Sequence, residues 1–485
     1  MSQKKTALER YPDYEVIIGM EVHAQLTTNS KIFSYAANSF SEDPNAHIDP
    51  VCVGYPGTLP VLNKRVLEHA IMAGIATNCT INKRNYFARK HYFYPDLPKG
   101  YQITQGEIPI CVEGTVPIKL TNGQEKQIGI TRIHMEEDAG KNIHDTNYNR
   151  SLVDLNRAGC PLLEIVSEPD MRNAEEVKAY LKTLRLTLVH CGLTTGDMEK
   201  GAFRADTNLS VRKKGETVFG TKCELKNINS FKFIADAIEY EIDRQITLLE
   251  NGESVIQETR LWDTKERKTK RMRKKEEGLD YRYLRDPDLP NISIDQDWID
   301  SIATSMPELP NSRLIRLQSD YGITQDEADV LINDLALTEF FEEARKHTTS
   351  KKLINWILRD LMGYLNEEKV SLDACKITPE SLAQLVTLID EKTVNSSSAK
   401  QVFAIMAKTG NDPKTIIAEE GLEQVTDTAA LEETIKAIIA ANPKQVAAYH
   451  AGKEKLFGFF VGQTMKQTGG TADPQTIQEL VKKHL

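Results

Sequence analysis

The sequence predicts an α+β protein in which a mostly antiparallel sheet domain is followed by an all-α helical domain and a small helical tail domain. Three observations carry this. The chain has 485 residues, and at about 150 residues per domain that predicts roughly three domains. Up to about residue 300, short alternating apolar and polar runs sit between Gly, Pro and Asn turns, the signature of strands. Beyond it, Thr378-Pro379, Asp412-Pro413, Asn442-Pro443 and Asp473-Pro474 each place a capping residue before a first-turn proline, which is how helices begin. Residues 409–413, Thr-Gly-Asn-Asp-Pro, read as a connector. The expected domains are therefore 1–300, 301–410 and 411–485.

The first long strand spans residues 16–26. Its even positions are Val16, Ile18, Met20, Val22, Ala24 and Leu26, while Gly19, Glu21, His23 and Gln25 alternate with them. One face is apolar and the other chemical, as a period of two requires. A short strand over 128–133 precedes His134-Met135-Glu136-Glu137-Asp138, and an apolar run over 162–166 carries Glu164. Residues 204–212 alternate again, with Asp206, Asn208 and Ser210 opposite Ala205, Thr207, Leu209 and Val211. Residues 215–222 come close to a phosphate-binding loop, but Thr221-Lys222 reverses the required order and the segment reads as a hairpin. Two helices interrupt the strands. One starts at an Asn173…Glu176 capping box and carries Val177, Leu181, Leu184 and Leu188 on one stripe. The other runs over 231–250 and stops at Asn251-Gly252. Later helices are expected at about 351–366, 379–391, 397–408, 431–441, 455–467 and 475–484. The four X-Pro starts share no other self-similarity, so no repeat is inferred.

Composition narrows the function. Hydrophobic residues at 40% and charged residues at 27% exclude collagenous and wholly disordered chains. A formal net charge of −9 argues against a polyanion binder held by bulk charge. Cys52, Cys79, Cys111, Cys160, Cys191, Cys223 and Cys375 are odd in number and never form Cys-x-x-Cys, so they read as reduced thiols. The first ten residues are polar, and no apolar stretch approaches the roughly 20 residues of a membrane helix. A soluble, cytoplasmic protein without a membrane partner is expected.

The chemical signals are three. Glu21, His23, Glu136, Glu137, Glu164, Asp206 and Glu224 are carboxylates with one imidazole, on or beside expected strands. Glu21 and His23 are two apart and project from one face. Glu164 inside an apolar run is costly unless paired or metal-bound. Oxygen-rich sets with at most one imidazole suit Mg²⁺ or Mn²⁺ better than zinc, although solvated faces of half-buried strands carry the same residue types. Residues 86–101 interleave Arg89, Lys90 and Lys99 with seven rings, among them Tyr92. That is either a phosphate or base platform, or a loop packed by its own rings. Residues 265–275 hold eight Lys or Arg in eleven positions, and Arg282 and Arg285 follow. They suit an RNA-phosphate or nucleotide contact, and equally a solvated hairpin diluted by Glu266, Glu276 and Glu277. No Gly-x-Gly-x-x-Gly or Gly-x-Ser-x-Gly occurs, and Ser396-Ser397-Ser398 lacks an amidase nucleophile's glycines. The chain offers carboxylates and bases but no nucleophile.

At residues 153–165, Val-Asp-Leu-Asn-Arg-Ala-Gly-Cys-Pro-Leu-Leu-Glu-Ile, the chain resembles the B subunits of bacterial aspartyl/glutamyl-tRNA amidotransferases. Further matching blocks are 19–23 (Gly-Met-Glu-Val-His), 55–60, 92–96, 130–141, 224–230 and 458–466. The likeness runs from about residue 14 to the end, with Met20 where the family more often has Leu. It implies a cradle-shaped catalytic domain, a helical domain, and a tail domain that touches tRNA. It implies a heterotrimer, with an amidase-type A subunit that hydrolyses glutamine and a small C subunit. The implied reaction is ATP-dependent transamidation of misacylated Glu-tRNA(Gln) and/or Asp-tRNA(Asn). ATP phosphorylates the side-chain carboxylate, and ammonia arriving by an internal channel displaces the phosphate. A carboxylate needs such activation to become an acyl donor, and its charged reactants call for Mg²⁺.

By the same resemblance the metal positions fall on Glu21, His23, Glu136, Glu137, Glu164, Asp206 and Glu224, with Mn²⁺ or another divalent ion as alternatives beside the histidine. Glu21, Glu136, Lys90 and Tyr92 are the expected catalytic groups, and Lys99 and Arg282 the expected cofactor contacts. Lys90, Tyr92 and Lys99 would line the ammonia route or the phosphate neighbourhood. The rival readings are a non-catalytic tRNA-binding scaffold with a structural metal, and a metal-dependent hydrolase built on Glu-Val-His.

Overall fold

The computed structural model describes residues 5–145, 148–274, 281–424 and 428–485. Lys275, Glu276 and Glu277 of the basic run lie outside the described residues. The chain divides into two compact units, Met1–Ser312 and Arg313–Leu485.

In the first unit nine strands form one sheet: β1 (Tyr14–Gln25), β2 (Thr80–Ile81), β3 (Cys111–Lys119), β4 (Glu125–Glu137), β5 (Pro161–Ser167), β6 (Phe203–Lys213), β7 (Cys223–Lys226), β8 (Glu258–Asp263) and β9 (Lys268–Lys274). Their order is β9-β8-β7-β6-β1-β5-β4-β3-β2. Every neighbouring pair is antiparallel except β7 and β8. The α+β expectation with a largely antiparallel sheet holds.

Alternation along β1 decides which face does what. Val16, Ile18, Met20, Val22 and Ala24 are buried in one core with helices α1 (Lys64–Ala76), α2 (Ala174–His190) and α3 (Phe231–Glu250). These helices pack on β3, β4 and β6. Val177, Leu181, Leu184 and Leu188 of α2 and Ile234, Ile238, Ile242 and Ile246 of α3 join that core. Each such side chain contributes about 1.5–3 kcal/mol through burial. The cap of α2 is half the expected box. Asn173 accepts from the Glu176 backbone N–H at 2.8 Å, while the Glu176 carboxylate turns to Lys126 and the Arg172 N–H. Helix α3 has the expected bounds and is followed by Gly252 at φ +77°.

Two readings need correction. Helix α1 is a third long helix in this unit, where two are expected. It is buried on most of its surface, with Val66, Leu67, His69, Ala70, Ile71, Met72, Ala73 and Gly74 all inside, so no polar stripe marks it as a helix. Strand β4 runs to Glu137, four residues past the expected end, because β5 pairs with it as far as Pro161 opposite Glu137. In a smaller sheet Ala88–His91 lies between Leu284–Arg285 and Tyr101–Thr104, and the edge strand Tyr101–Thr104 packs on β4.

The second unit is helical. All four X-Pro signals start helices: Pro379–Asp390, Pro413–Glu419, Pro443–His450 and Pro474–His484. A helical run from Leu353 to Glu368 has a π-helical middle, Trp356–Leu361. Ser396–Thr409, Thr428–Ala441 and Leu456–Gln467 lie within three residues of expectation. One hydrophobic cluster spans Leu317 to Leu422 and another Leu431 to Val481. All seven cysteines are free thiols. Among the described residues no helix is long and apolar enough to cross a membrane.

Candidate functional site

The chemical face is laid out in rows by the pairing of β6, β1, β5 and β4. Arg204 stands opposite His23, His23 opposite Glu164, and Glu164 opposite His134. In the next row Asp206 is opposite Glu21, and Val166 is opposite Arg132. On the other side Gln25 pairs with Leu162, and Leu162 with Glu136. Because a strand repeats every two residues, all of these share one face.

Carboxylates and imidazoles converge there. His23 Nε2 lies 3.8 Å from Glu21 and 3.6 Å from Glu164, and His134 Nδ1 lies 3.8 Å from Glu164. Among the described residues two sets could each surround a cation: Glu21, His23 and Asp206, and His23, Glu136 and Glu164. Their ligand atoms lie within 4.8 Å of one another, and His23 belongs to both sets. Glu136 also accepts from Gln102 at 3.0 Å and from Thr104 at 2.5 Å.

The charges on this face strain one another. Burial and the Glu164 charge push the Glu21 and Glu136 carboxyls up. Burial alone would raise Glu164 too, but His23 at 3.6 Å and the charges of His134 and Lys90 hold it well below the carboxylate range. Burial also opposes the charge on His23, which is nevertheless raised by Glu164. Burial pushes His134 down to about 4, and its Nε2 is buried without a hydrogen bond among the described residues. Crowded oxygen donors and one shared imidazole form a donor set that fits a hard divalent cation.

The remaining expected residues fall around this centre. Glu137 lies outside both sets: neighbouring strand residues point to opposite faces, and its carboxylate takes Lys99 Nζ at 2.5 Å and the Ile103 N–H at 2.8 Å. Glu224 also lies outside them, accepting from Thr259 at 2.9 Å and sitting 3.2 Å from Lys226. Lys90 is drawn to its charged form by Glu136, Tyr283 and Glu164 against burial, and its ammonium lies 5.0 Å from the Tyr281 ring centre. Tyr92, edge-on to Tyr281, is pushed up to about 12 by burial. Arg89 binds Asp286 and Asp288 at 2.7 and 2.6 Å under the Tyr101 ring, so this segment packs partly on itself. Arg282 is exposed, with its carbonyl 3.0 Å from His91 Nδ1. The described part of the basic run is the β8–β9 hairpin, where Lys268, Lys270 and Arg271 pair with Glu266, Asp263 and Glu258.

Three residues belong to the site that sequence reasoning passed over. Lys226 bridges Asp206 at 2.5 Å and Glu224, and these carboxylates raise its ammonium despite burial. Asp138 is buried, takes Gln25 at 2.8 Å and Arg204 at 2.6 Å, and lies 3.6 Å from Arg157. Burial opposes its charge, but the two guanidiniums hold it low. Arg204 and Lys226 were within reach, since each is two residues from a selected carboxylate on the same strand. Asp138 was not, because its partners come from three separate segments.

Comparison with known proteins follows the same lines. The family described as the GatB/GatE catalytic domain matches residues 16–300, and the GatB domain matches residues 339–485. The chain is 51% identical over 473 residues to the B subunit of the aspartyl/glutamyl-tRNA(Asn/Gln) amidotransferase of Syntrophotalea carbinolica, covering 97% of this chain and 98% of the relative. Proteins of the same name from Thermodesulfovibrio yellowstonii and Myxococcus xanthus are 50% and 49% identical. They cover 97% and 98% of this chain and 99% of each relative.

Proposed function

The chain belongs to the B-subunit family of the aspartyl/glutamyl-tRNA(Asn/Gln) amidotransferases, and from that membership we propose that it carries out the amide-forming step on misacylated tRNA. The substrates are Glu-tRNA(Gln) and/or Asp-tRNA(Asn), activated by ATP as acyl phosphates and then aminated. An amidase-type A subunit supplies the ammonia and a small C subunit completes the heterotrimer. The observation that carries the reading is the shared-histidine face, where two sets of side chains among the described residues could each surround a divalent cation.

Glu21, His23 and Asp206 on one side, and Glu136 and Glu164 on the other, would hold Mg²⁺. Such an ion neutralises phosphate charge and aligns the transferring group. Lys226 screens Asp206 and Glu224 from each other and keeps both oriented. Lys90 sets a positive charge beside Glu136 and Glu164, where an anionic intermediate needs one. Tyr92, pushed up to about 12, keeps its proton near neutrality and can only donate to an oxygen or accept from an N–H.

The test uses the assembled complex with Glu-tRNA(Gln) and ATP but no nitrogen source. Wild type forms ADP only when the tRNA is misacylated. Glu21→Ala loses that turnover and keeps tRNA affinity within a few-fold. If the variant instead loses tRNA binding and thermal stability together while ATP turnover persists, the chain is a scaffold.

A further inference from the structure

At one end of the adjacent strands β6, β1, β5 and β4 lies a group of charges that neither cation ligand set includes. Asp138, just past β4, receives Arg204 Nη2 at 2.6 Å and Gln25 Nε2 at 2.8 Å, with Arg157 Nε 3.6 Å away. Two guanidiniums on one carboxylate leave a positive charge over, on a face otherwise rich in carboxylates. Arg157 lies in the turn before β5 and is fixed by the Ala139 and Gly140 carbonyls at 2.9 and 2.7 Å. The side chains of Arg157 and Arg204 are 35% and 34% exposed, whereas that of Asp138 is 6% exposed.

The bonds that hold the fold do not account for this arrangement. A guanidinium carries more N–H donors than one carboxylate oxygen uses. Among the described residues Arg204 donates only to Asp138, and its Nε is buried without a partner. A buried N–H left unpaired is costly, so the position of this side chain is not set by its own bonding. Other cations near the face are committed, Lys226 to Asp206 and Glu224, and Lys99 to Glu137. Arg204 stands opposite His23 and two residues along β6 from Asp206, a separation of about 7 Å.

We propose that Arg204 and Arg157 receive the side-chain carboxylate of the amino acid carried by the tRNA, with Asp138 as the buried residue that positions them. The inference rests on the amide-forming reading given above and locates the acyl substrate of that reaction. An anion entering a face of Glu21, Glu136, Glu164 and Asp206 is repelled unless a cation meets it. A planar guanidinium meets a carboxylate through two parallel N–H···O bonds. Held at Arg204, opposite His23, the carboxylate lies next to both cation ligand sets, which share that histidine. Glutamyl and aspartyl side chains end in the same group, so this contact admits either. The amide product has lost the charge and put an N–H donor where an acceptor oxygen stood. The same two arginines therefore hold substrate in preference to product.

Equilibrium binding of the assembled complex to uncharged tRNA(Gln), Glu-tRNA(Gln) and Gln-tRNA(Gln), without ATP, tests this. Wild type is expected to hold the glutamyl form about tenfold more tightly than the glutaminyl form, the scale of a charge-assisted hydrogen bond. Arg204→Gln and Arg157→Gln are expected to bring the two forms within about twofold of each other, and Arg204→Lys to keep part of the preference. Affinity for uncharged tRNA stays at the wild-type value in all three variants, which also shows that they are folded. Absence of the preference in wild type overturns the inference, and so does a preference that survives both Gln substitutions. Equal weakening toward all three tRNAs overturns it as well, since the arginines then meet RNA phosphates or hold the fold. ADP formation by wild type on Glu-tRNA(Gln) or Asp-tRNA(Asn), measured on the same preparations, separates the two readings. If neither misacylated tRNA drives it, the amide-forming reading has failed and this one falls with it. If ADP forms and the Gln variants keep the preference, only this one has failed.

Discussion

Asp138 offers a test of how the chemical face is held in place. Its carboxylate is buried, and Arg204, directly opposite His23, reaches it at 2.6 Å. Asp138→Asn keeps the shape and removes the charge. Losing one partner of a buried ion pair costs about 3–5 kcal/mol. The Arg204 side chain is 34% exposed, so water recovers part of that and a loss of about 2 kcal/mol is expected. Urea unfolding of wild type, Asp138→Asn, Arg204→Met and the double variant measures it. The double variant should lose little more than Asp138→Asn, because the stranded guanidinium is gone, giving a coupling of about 1.5–2 kcal/mol. The pKa direction adds a second check. Asp138 is held below its ordinary 3.8, so the coupling is present at neutral pH and disappears as pH falls through that lowered value. Additive losses, with a coupling under about 0.5 kcal/mol, would refute the anchoring role.

Other consequences concern the core. Burial, helped by Arg65, lowers His69 from 6.5 to about 4, so the unfolded chain gains a proton before the folded one does. The His69 contribution to stability should fall by about 3 kcal/mol as pH drops from 6.5 to 4, and His69→Met should remove that share of the slope in denaturant titrations. Gly114→Ala would set a Cβ 2.2 Å from Cys79 Sγ and 2.7 Å from the Thr77 carbonyl oxygen. A loss of about 1–3 kcal/mol is expected from such overpacking, and an unchanged melting temperature would contradict it. Asn173→Ala removes the 2.8 Å cap of α2 and should cost about 1 kcal/mol in urea unfolding.

What was readable in the sequence was what period and capping control. The alternation of β1 placed Glu21 and His23 on one face, and the same logic placed Asp206 on β6. The X-Pro pairs found four helix starts because proline's missing N–H is tolerated only in the first turn. Helix α1 escaped because burial on most sides leaves no stripe to detect. The end of β4 escaped because pairing with β5, a long-range contact, carries the strand through Glu136 and Glu137. Within the site, residue types and faces were visible, but the separation of Glu137 from Glu136 needed the continuation of β4 through both residues, which puts them on opposite faces. The Asp138–Arg204 anchor and the sharing of His23 between two ligand sets are likewise products of strand order, which spacing alone does not encode.

The most direct test of the central claim supplies ammonium chloride as nitrogen donor to the assembled complex and compares wild type with Glu21→Ala. Free ammonia would bypass the proposed glutaminase partner, so ATP-dependent conversion of misacylated tRNA to its amide would report on this chain. Wild type is expected to form the amide, and Glu21→Ala to form none while still binding tRNA. Equal amide formation by both proteins would contradict the account and make Glu21 a structural residue.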